Sequence, residues 1–167
     1  LLRYDSVHGP YRGSIETGDD WIDVGSGKVM VTSERDPADL SHAGLDVDIA
    51  LECTGLFTSK KKASAHLQAG AKRVLVSAPC EGADKTIVFK VNHETLTAED
   101  VVVSNGSCTT NVLAPVAKVL NDLFGIERGY MTTVHAYTGD QPTLDAVHND
   151  LYRARAAALS MIPTSTG

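Results

Sequence analysis

Cys108 has the surroundings of a reactive thiol. It lies in the run Ser104-Asn105-Gly106-Ser107-Cys108-Thr109-Thr110-Asn111, where hydroxyls and amides stand in place of the apolar neighbours of a packed cysteine. The β-branched residues 101–103 lead into this run. After it, Val112, Leu113, Val116, Ala117, Val119, Leu120 and Phe124 recur at helical spacing until Gly125. The pattern predicts a strand, a short polar turn and a helix that begins at the cysteine. Backbone N–H groups at a helix start have no intrahelical partner and the helix dipole is positive there, so a thiolate is favoured. A free cysteine, with a pKa of about 8.5, is only about 3% thiolate at pH 7.

His135 is the natural partner. It follows the predicted helix within 130–138, a run of β-branched and aromatic residues that reads as a strand. If that strand lies beside the one ending at Ser104, the imidazole returns to the helix start. A neutral ring there takes the thiol proton, and an imidazolium pairs with the thiolate and exchanges protons with a substrate oxygen. An isolated histidine at a strand end is more commonly just satisfied by a carbonyl; the pairing with Cys108 gives it chemistry.

The elements that must position this pair read as alternating strand and helix. Residues 46–53 have enough apolar side chains for a buried parallel strand, ended by Thr54-Gly55. Thr58-Ser59 caps a helix over 60–68 that stops at Gly70, with Ala63 and Leu67 inward and His66 as packing. Strands follow at 73–77, 86–91 and 101–104, making a βαβ unit with a right-handed crossover. Upstream, residues 1–27 are punctuated by glycine turns, and 28–32 is the clearest strand there. The class is α/β. It is a Rossmann-like, doubly wound parallel sheet. Turns after the strands are where such sheets bind ligands.

With those residues in view, the chain resembles the phosphorylating glyceraldehyde-3-phosphate dehydrogenases. The resemblance rests on Ser-Asn-Gly-Ser-Cys-Thr-Thr-Asn at 104–111, with the histidine of Thr-Thr-Val-His-Ala-Tyr-Thr 27 residues after the cysteine. Residues 2–9, Glu34-Arg35-Asp36-Pro37, Glu52-Cys53-Thr54-Gly55, Ser77-Ala78-Pro79 and 150–167 match family stretches in family order. It implies an aldehyde oxidation in glycolysis, with glyceraldehyde 3-phosphate captured on Cys108, His135 as base, and inorganic phosphate releasing an acyl phosphate. It places Ser107, Thr109, Thr166 and Gly167 at the attacking phosphate, and Thr138, Asp140 and Arg153 at the substrate's own phosphate. Asp140 is expected to orient an arginine beyond residue 167. Arg35, Thr54, Gly55, Phe57, Ser77 and Ala78 fall at the cofactor, NAD, with NADP left open. The resemblance further implies that the sheet's first βαβ unit is missing and that the start of an α+β catalytic domain follows it, with domains at 1–107 and 108–167, in a cytoplasmic homotetramer when full length. Erythrose-4-phosphate dehydrogenase shares the cysteine–histidine pair, but Thr138-Gly139-Asp140-Gln141 and Thr164-Ser165-Thr166-Gly167 lean toward the glyceraldehyde phosphate enzyme. A cysteine hydrolase would need a third orienting group and no cofactor cleft.

Several positions depart from the family's common pattern. Gly106 replaces alanine and is expected to loosen the turn. Val112 replaces a second cysteine, and Ser41-His42 replaces a Pro-Trp pair. For 150–161, propensity favours a helix whereas the resemblance implies a loop. From the opening Leu1-Leu2 and the lack of the family's glycine-rich phosphate loop, the chain is expected to be an internal fragment, inactive alone or serving only as a binding piece.

Composition agrees with a globular enzyme. In 167 residues, 43% are hydrophobic and 22% charged, and no apolar run approaches membrane-spanning length. A net charge of −6 argues against a nucleic-acid surface, so phosphates must be held by local donors. Cys53, Cys80 and Cys108 have no regular spacing and read as reduced thiols, and no ligand motif offers a metal site.

Overall fold

A computed structural model describes residues 1–167. They form two compact units, Leu1–Leu40 and Ser41–Gly167. The first unit holds an antiparallel sheet of β1 (Glu16–Thr17), β2 (Trp21–Asp23) and β3 (Lys28–Met30), in that order. Its second hairpin turns through Gly25 and Gly27, at φ +99° and +102°, and Asp23 Oδ1 accepts both their N–H groups at 2.8 and 3.1 Å. β3 is the first three residues of the predicted 28–32 strand.

The second unit holds a parallel sheet of β4 (Ile49–Glu52), β5 (Arg73–Val76), β6 (Lys85–Thr86) and β7 (Val102–Ser104), in the order β4-β5-β7-β6. Glu52 pairs with Val76, and Val76 with Ser104, so the three longer strands end level. The turns that follow them open along one edge. Between β4 and β5 run two single-turn helices, α1 (Lys60–Ala63) and α2 (Ala65–Gln68), in place of the one expected. Ser59 caps α1 by accepting the N–H of Lys62, and Gly70 at φ +106° ends the pair. Ala63, Val74, Val76 and Val102 form the buried core, with Leu67, Ala78, Cys80 and Val101 against it.

Three expectations need correction. β4 is not buried on both faces: Ala50 and Glu52 point into the core, while Ile49 and Leu51 are 55% and 65% exposed. It is an edge strand, and helices cover only one side of it. The strand expected over 86–91 ends at Thr86, because Asn92 Oδ1 takes the Val88 N–H at 2.8 Å and Lys90 turns the chain at φ +60°. The strand expected over 130–138 does not form, since no other segment supplies it with a ladder.

The predicted helix after the turn is α3 (Cys108–Phe124), closed by Gly125, whose N–H bonds Asn121 O. Its apolar stripe, including Val112, Val116, Leu120 and Phe124, is exposed. No helix is long and apolar enough to cross a membrane.

Candidate active site

Ser107 fixes where α3 starts. Its hydroxyl accepts the N–H of Thr110 at 3.0 Å, so Cys108 becomes the first helical residue, as the capping pattern requires. Upstream, the buried Ser104 hydroxyl donates to Ala78 O at 2.7 Å and accepts the Gly106 N–H at 3.0 Å. Gly106 sits at φ +72°, where an added Cβ would meet Thr110 Cγ2 at 3.1 Å. Glycine thus suits the conformation of a turn that the Ser104 hydrogen bonds hold.

The pair that the motifs pointed to is assembled even without the expected strand. Cys108 Sγ lies 3.2 Å from His135 Nε2. His135 Nδ1 lies 2.6 Å from Ala136 O. A carbonyl only accepts, so Nδ1 carries the proton and the neutral ring turns its Nε2 lone pair to the sulfur. The hydrogen bond with His135 lowers the Cys108 pKa below that of an ordinary thiol, aided by the N–H of Thr109. The Ala136 carbonyl, followed by the sulfur itself, raises that of His135. Both shifts favour the thiolate–imidazolium form. By contrast, burial pushes the Cys80 thiol up.

Two polar clusters accompany the pair, one at Cys108 and one whose Asp140 acts electrostatically on His135. Beside the helix start, Thr109 Oγ1 meets Thr166 Oγ1 at 2.6 Å, and Ser107 Oγ donates to Gly167 O at 2.8 Å. All four residues predicted for the attacking phosphate are thus gathered at the N-terminus of α3, a place suited to an anion. In the second cluster, Thr138 Oγ1 donates to Asp140 Oδ1 at 2.6 Å. Asp140 Oδ2 holds Arg153 NH1 at 2.8 Å, and Arg153 Nε donates to Thr164 Oγ1 at 2.8 Å. Within residues 1–167, the arginine that Asp140 holds is therefore Arg153. Thr164, given no role of its own in the sequence reading, is its second anchor and in turn donates to Asp150 Oδ2 at 3.1 Å.

These contacts settle the form of 150–161. The segment makes turns, not a helix, because its donors have partners outside it: Ala157 N–H bonds Pro142 O at 3.0 Å, and Ala156 N–H bonds Asp145 Oδ1 at 3.1 Å.

At the strand ends, Thr54, Gly55 and Ser77 are exposed after β4 and β5, while Ala78 is partly buried against the core. Gly55 has φ +75° and open space where a Cβ would stand, leaving bare backbone for a ligand to approach. Phe57 is instead half-buried, edge-on to His66 with ring centroids 6.5 Å apart. Arg35 is exposed within the Leu1–Leu40 unit. The sequence reading missed Glu52, a buried carboxylate on β4; its position two residues before Thr54, in an otherwise apolar strand, was the available signal.

A parallel sheet with ligand-accessible turns at its strand ends, leading directly into a helix headed by an activated cysteine, defines a nucleotide-binding α/β domain joined to a thiol site. Residues 1–60 match the family model "glyceraldehyde 3-phosphate dehydrogenase, NAD binding domain", and 107–167 match the C-terminal domain of the same family. Glyceraldehyde-3-phosphate dehydrogenases of Cereibacter sphaeroides and Xanthobacter flavus are 71% and 70% identical over all 167 residues, and that of Zymomonas mobilis is 59% identical. The chain spans about half the length of these relatives (50% of each). It belongs to the glyceraldehyde-3-phosphate dehydrogenase family, a family of NAD-binding oxidoreductases, and its sheet is the Rossmann-type, NAD-binding part.

Proposed function

We propose that the protein containing this chain oxidises glyceraldehyde 3-phosphate to 1,3-bisphosphoglycerate, with NAD and inorganic phosphate, as a glycolytic enzyme. One observation carries the reading: Cys108 Sγ is 3.2 Å from an imidazole nitrogen whose opposite nitrogen is engaged by a carbonyl. That tautomer makes His135 a base toward the sulfur and then toward a substrate oxygen.

The Cys108 thiolate attacks the aldehyde carbon, forming a C–S bond as the carbonyl π bond breaks, and the oxygen takes the proton that His135 had accepted from the thiol. His135 removes the proton of the resulting hemithioacetal hydroxyl. Bound NAD supplies the acceptor for the hydride that leaves this carbon, so that a thioester remains on Cys108. Thr54, Gly55, Ser77 and Ala78 would hold the cofactor along the strand ends, with Phe57 as a further contact. Ser107, Thr109, Thr166 and the backbone at Gly167 bind the phosphate that attacks the thioester. Collapse breaks the C–S bond, returning the thiolate and releasing the acyl phosphate. Thr138 and Arg153 hold the substrate's own phosphate. Asp140 would repel that dianion, so its role is to aim Arg153.

We place the domain boundary between residues 107 and 108, where the sheet's last turn meets α3. The full-length enzyme is proposed to be a cytoplasmic homotetramer acting on small metabolites, without nucleic-acid or membrane partners.

The test uses the full-length protein with glyceraldehyde 3-phosphate and NAD but no phosphate. The expected result is one reduced cofactor per subunit and an acyl adduct on the Cys108 peptide, with turnover resuming when phosphate is added. An adduct on Cys53 or Cys80 instead would overturn the assignment.

A further inference from the structure

Glu52 is 2% exposed and 2.9 Å from His66 Nε2, and His66 Nδ1 is 3.2 Å from His42 Nε2. The two imidazoles are stacked, with ring centroids 5.5 Å apart. A carboxylate is acceptor-only, so neutral His66 must carry its proton on Nε2. Its Nδ1 is then a lone pair, and His42 must donate from Nε2. The hydrogen bonds run one way, from His42 through His66 to Glu52.

The other carboxylate oxygen faces the strand end. Glu52 Oε1 accepts the Thr54 N–H at 2.8 Å and also the Thr54 hydroxyl. With its proton committed, the Thr54 oxygen accepts the Leu56 N–H at 3.1 Å. The turn that presents Gly55 is therefore tied to a buried charge. Burial opposes that charge, but hydrogen bonds from Thr54 and His66 outweigh it and hold the Glu52 pKa below the usual range. Burial, then the neighbouring His66, lowers that of His42. Phe57 closes the remaining edge of His66, and no other charged side chain bonds these three.

We infer that Glu52 is a positioning residue for the cofactor site, ordering the Thr54-Gly55 turn through a chain of hydrogen bonds whose direction is set by His66 and His42. This rests on the reading that the turn lines the NAD cleft. A glutamine at 52 could still accept from Thr54 through its carbonyl, but its NH₂ would face His66 Nε2. His66 would then have to move its proton to Nδ1, and His42 would become the acceptor. The relay would reverse, and the remaining acceptor for Thr54 would be neutral.

The experiment compares the full-length protein with Glu52→Gln in three measurements: ring tautomers by ¹⁵N-histidine NMR, amide exchange over 54–56, and NAD titration with kcat and KM. In the wild type, both rings should carry the neutral-state proton on Nε2. In the variant, His66 should switch to Nδ1–H and the amides should exchange faster. The NAD Kd and KM should rise about tenfold, equivalent to ~1.4 kcal/mol, with kcat at saturating NAD within about twofold. A folded variant with unchanged tautomers and NAD affinity overturns the inference. So does wild-type His66 protonated on Nδ1, a result that needs no variant to fold. Wild-type protein that fails to bind NAD, with tautomers as expected, would instead overturn the functional reading on which the inference rests.

Discussion

His135→Asn separates the two things His135 is proposed to do. The asparagine cannot serve as a base at neutral pH, and it removes the imidazole whose hydrogen bond, more than its charge, lowers the Cys108 pKa. The ring is exposed in a segment outside any strand, so the fold should survive. The magnitudes tell the roles apart. An ordinary cysteine is about 3% thiolate at pH 7, so losing thiolate alone can cost at most roughly 30-fold in alkylation rate. Loss of proton transfer costs a typical 10²–10⁴-fold in turnover. Turnover should therefore fall by more than alkylation does. The assay is iodoacetamide labelling of the full-length protein against pH, followed by mass spectrometry at Cys108, with exposed Cys53 and partly buried Cys80 as internal references. Because the Cys108 pKa is lowered in the wild type, its labelling should persist to lower pH than that of the other two, and the variant's profile should move to higher pH. Near-normal turnover, with an unmoved Cys108 profile, would refute the two-residue mechanism.

Thr166→Ala removes one hydroxyl of the Thr109–Thr166 pair, so the phosphate KM should rise severalfold while the single-turnover burst of reduced NAD stays intact. Asp140→Asn should release Arg153 and raise the KM for glyceraldehyde 3-phosphate roughly fivefold. That is about 1 kcal/mol, a modest effect because Asp140 is largely exposed, and the phosphate KM should not move. Gly106→Ala should lower stability by ~1–2 kcal/mol in a denaturant titration, since φ is +72° and the new Cβ crowds Thr110; an unchanged midpoint would mean that the turn is loose after all. Lowering the pH should destabilise the wild type through Glu52. Its folded pKa is depressed, so its contribution is complete above the unfolded carboxylate range near pH 4.3 and is lost as pH falls through the lower folded value; Glu52→Gln should flatten this acid limb.

What could be read from the chain alone was whatever depends on neighbours in sequence. The N-cap at Ser107, the stop at Gly125 and the cap at Ser59 are local hydrogen-bond problems, each solved by a residue within a turn of the group it satisfies. The motif order around Cys108 and His135 pointed to the two residues that stand 3.2 Å apart for the same reason: types and spacing are linear information. Tertiary structure decided what depends on distant partners. Residues 130–138 have strand propensity but no ladder, yet a contact across 27 residues still brings His135 to the sulfur. The alanines of 150–161 favour a helix, but Pro142, Asp145 and Thr164 claim its donors and its arginine. Glu52 looked like one charge in an apolar strand. Only the fold brings His66, and through it His42, close enough to give the buried carboxylate its partners and to make it part of the turn it supports.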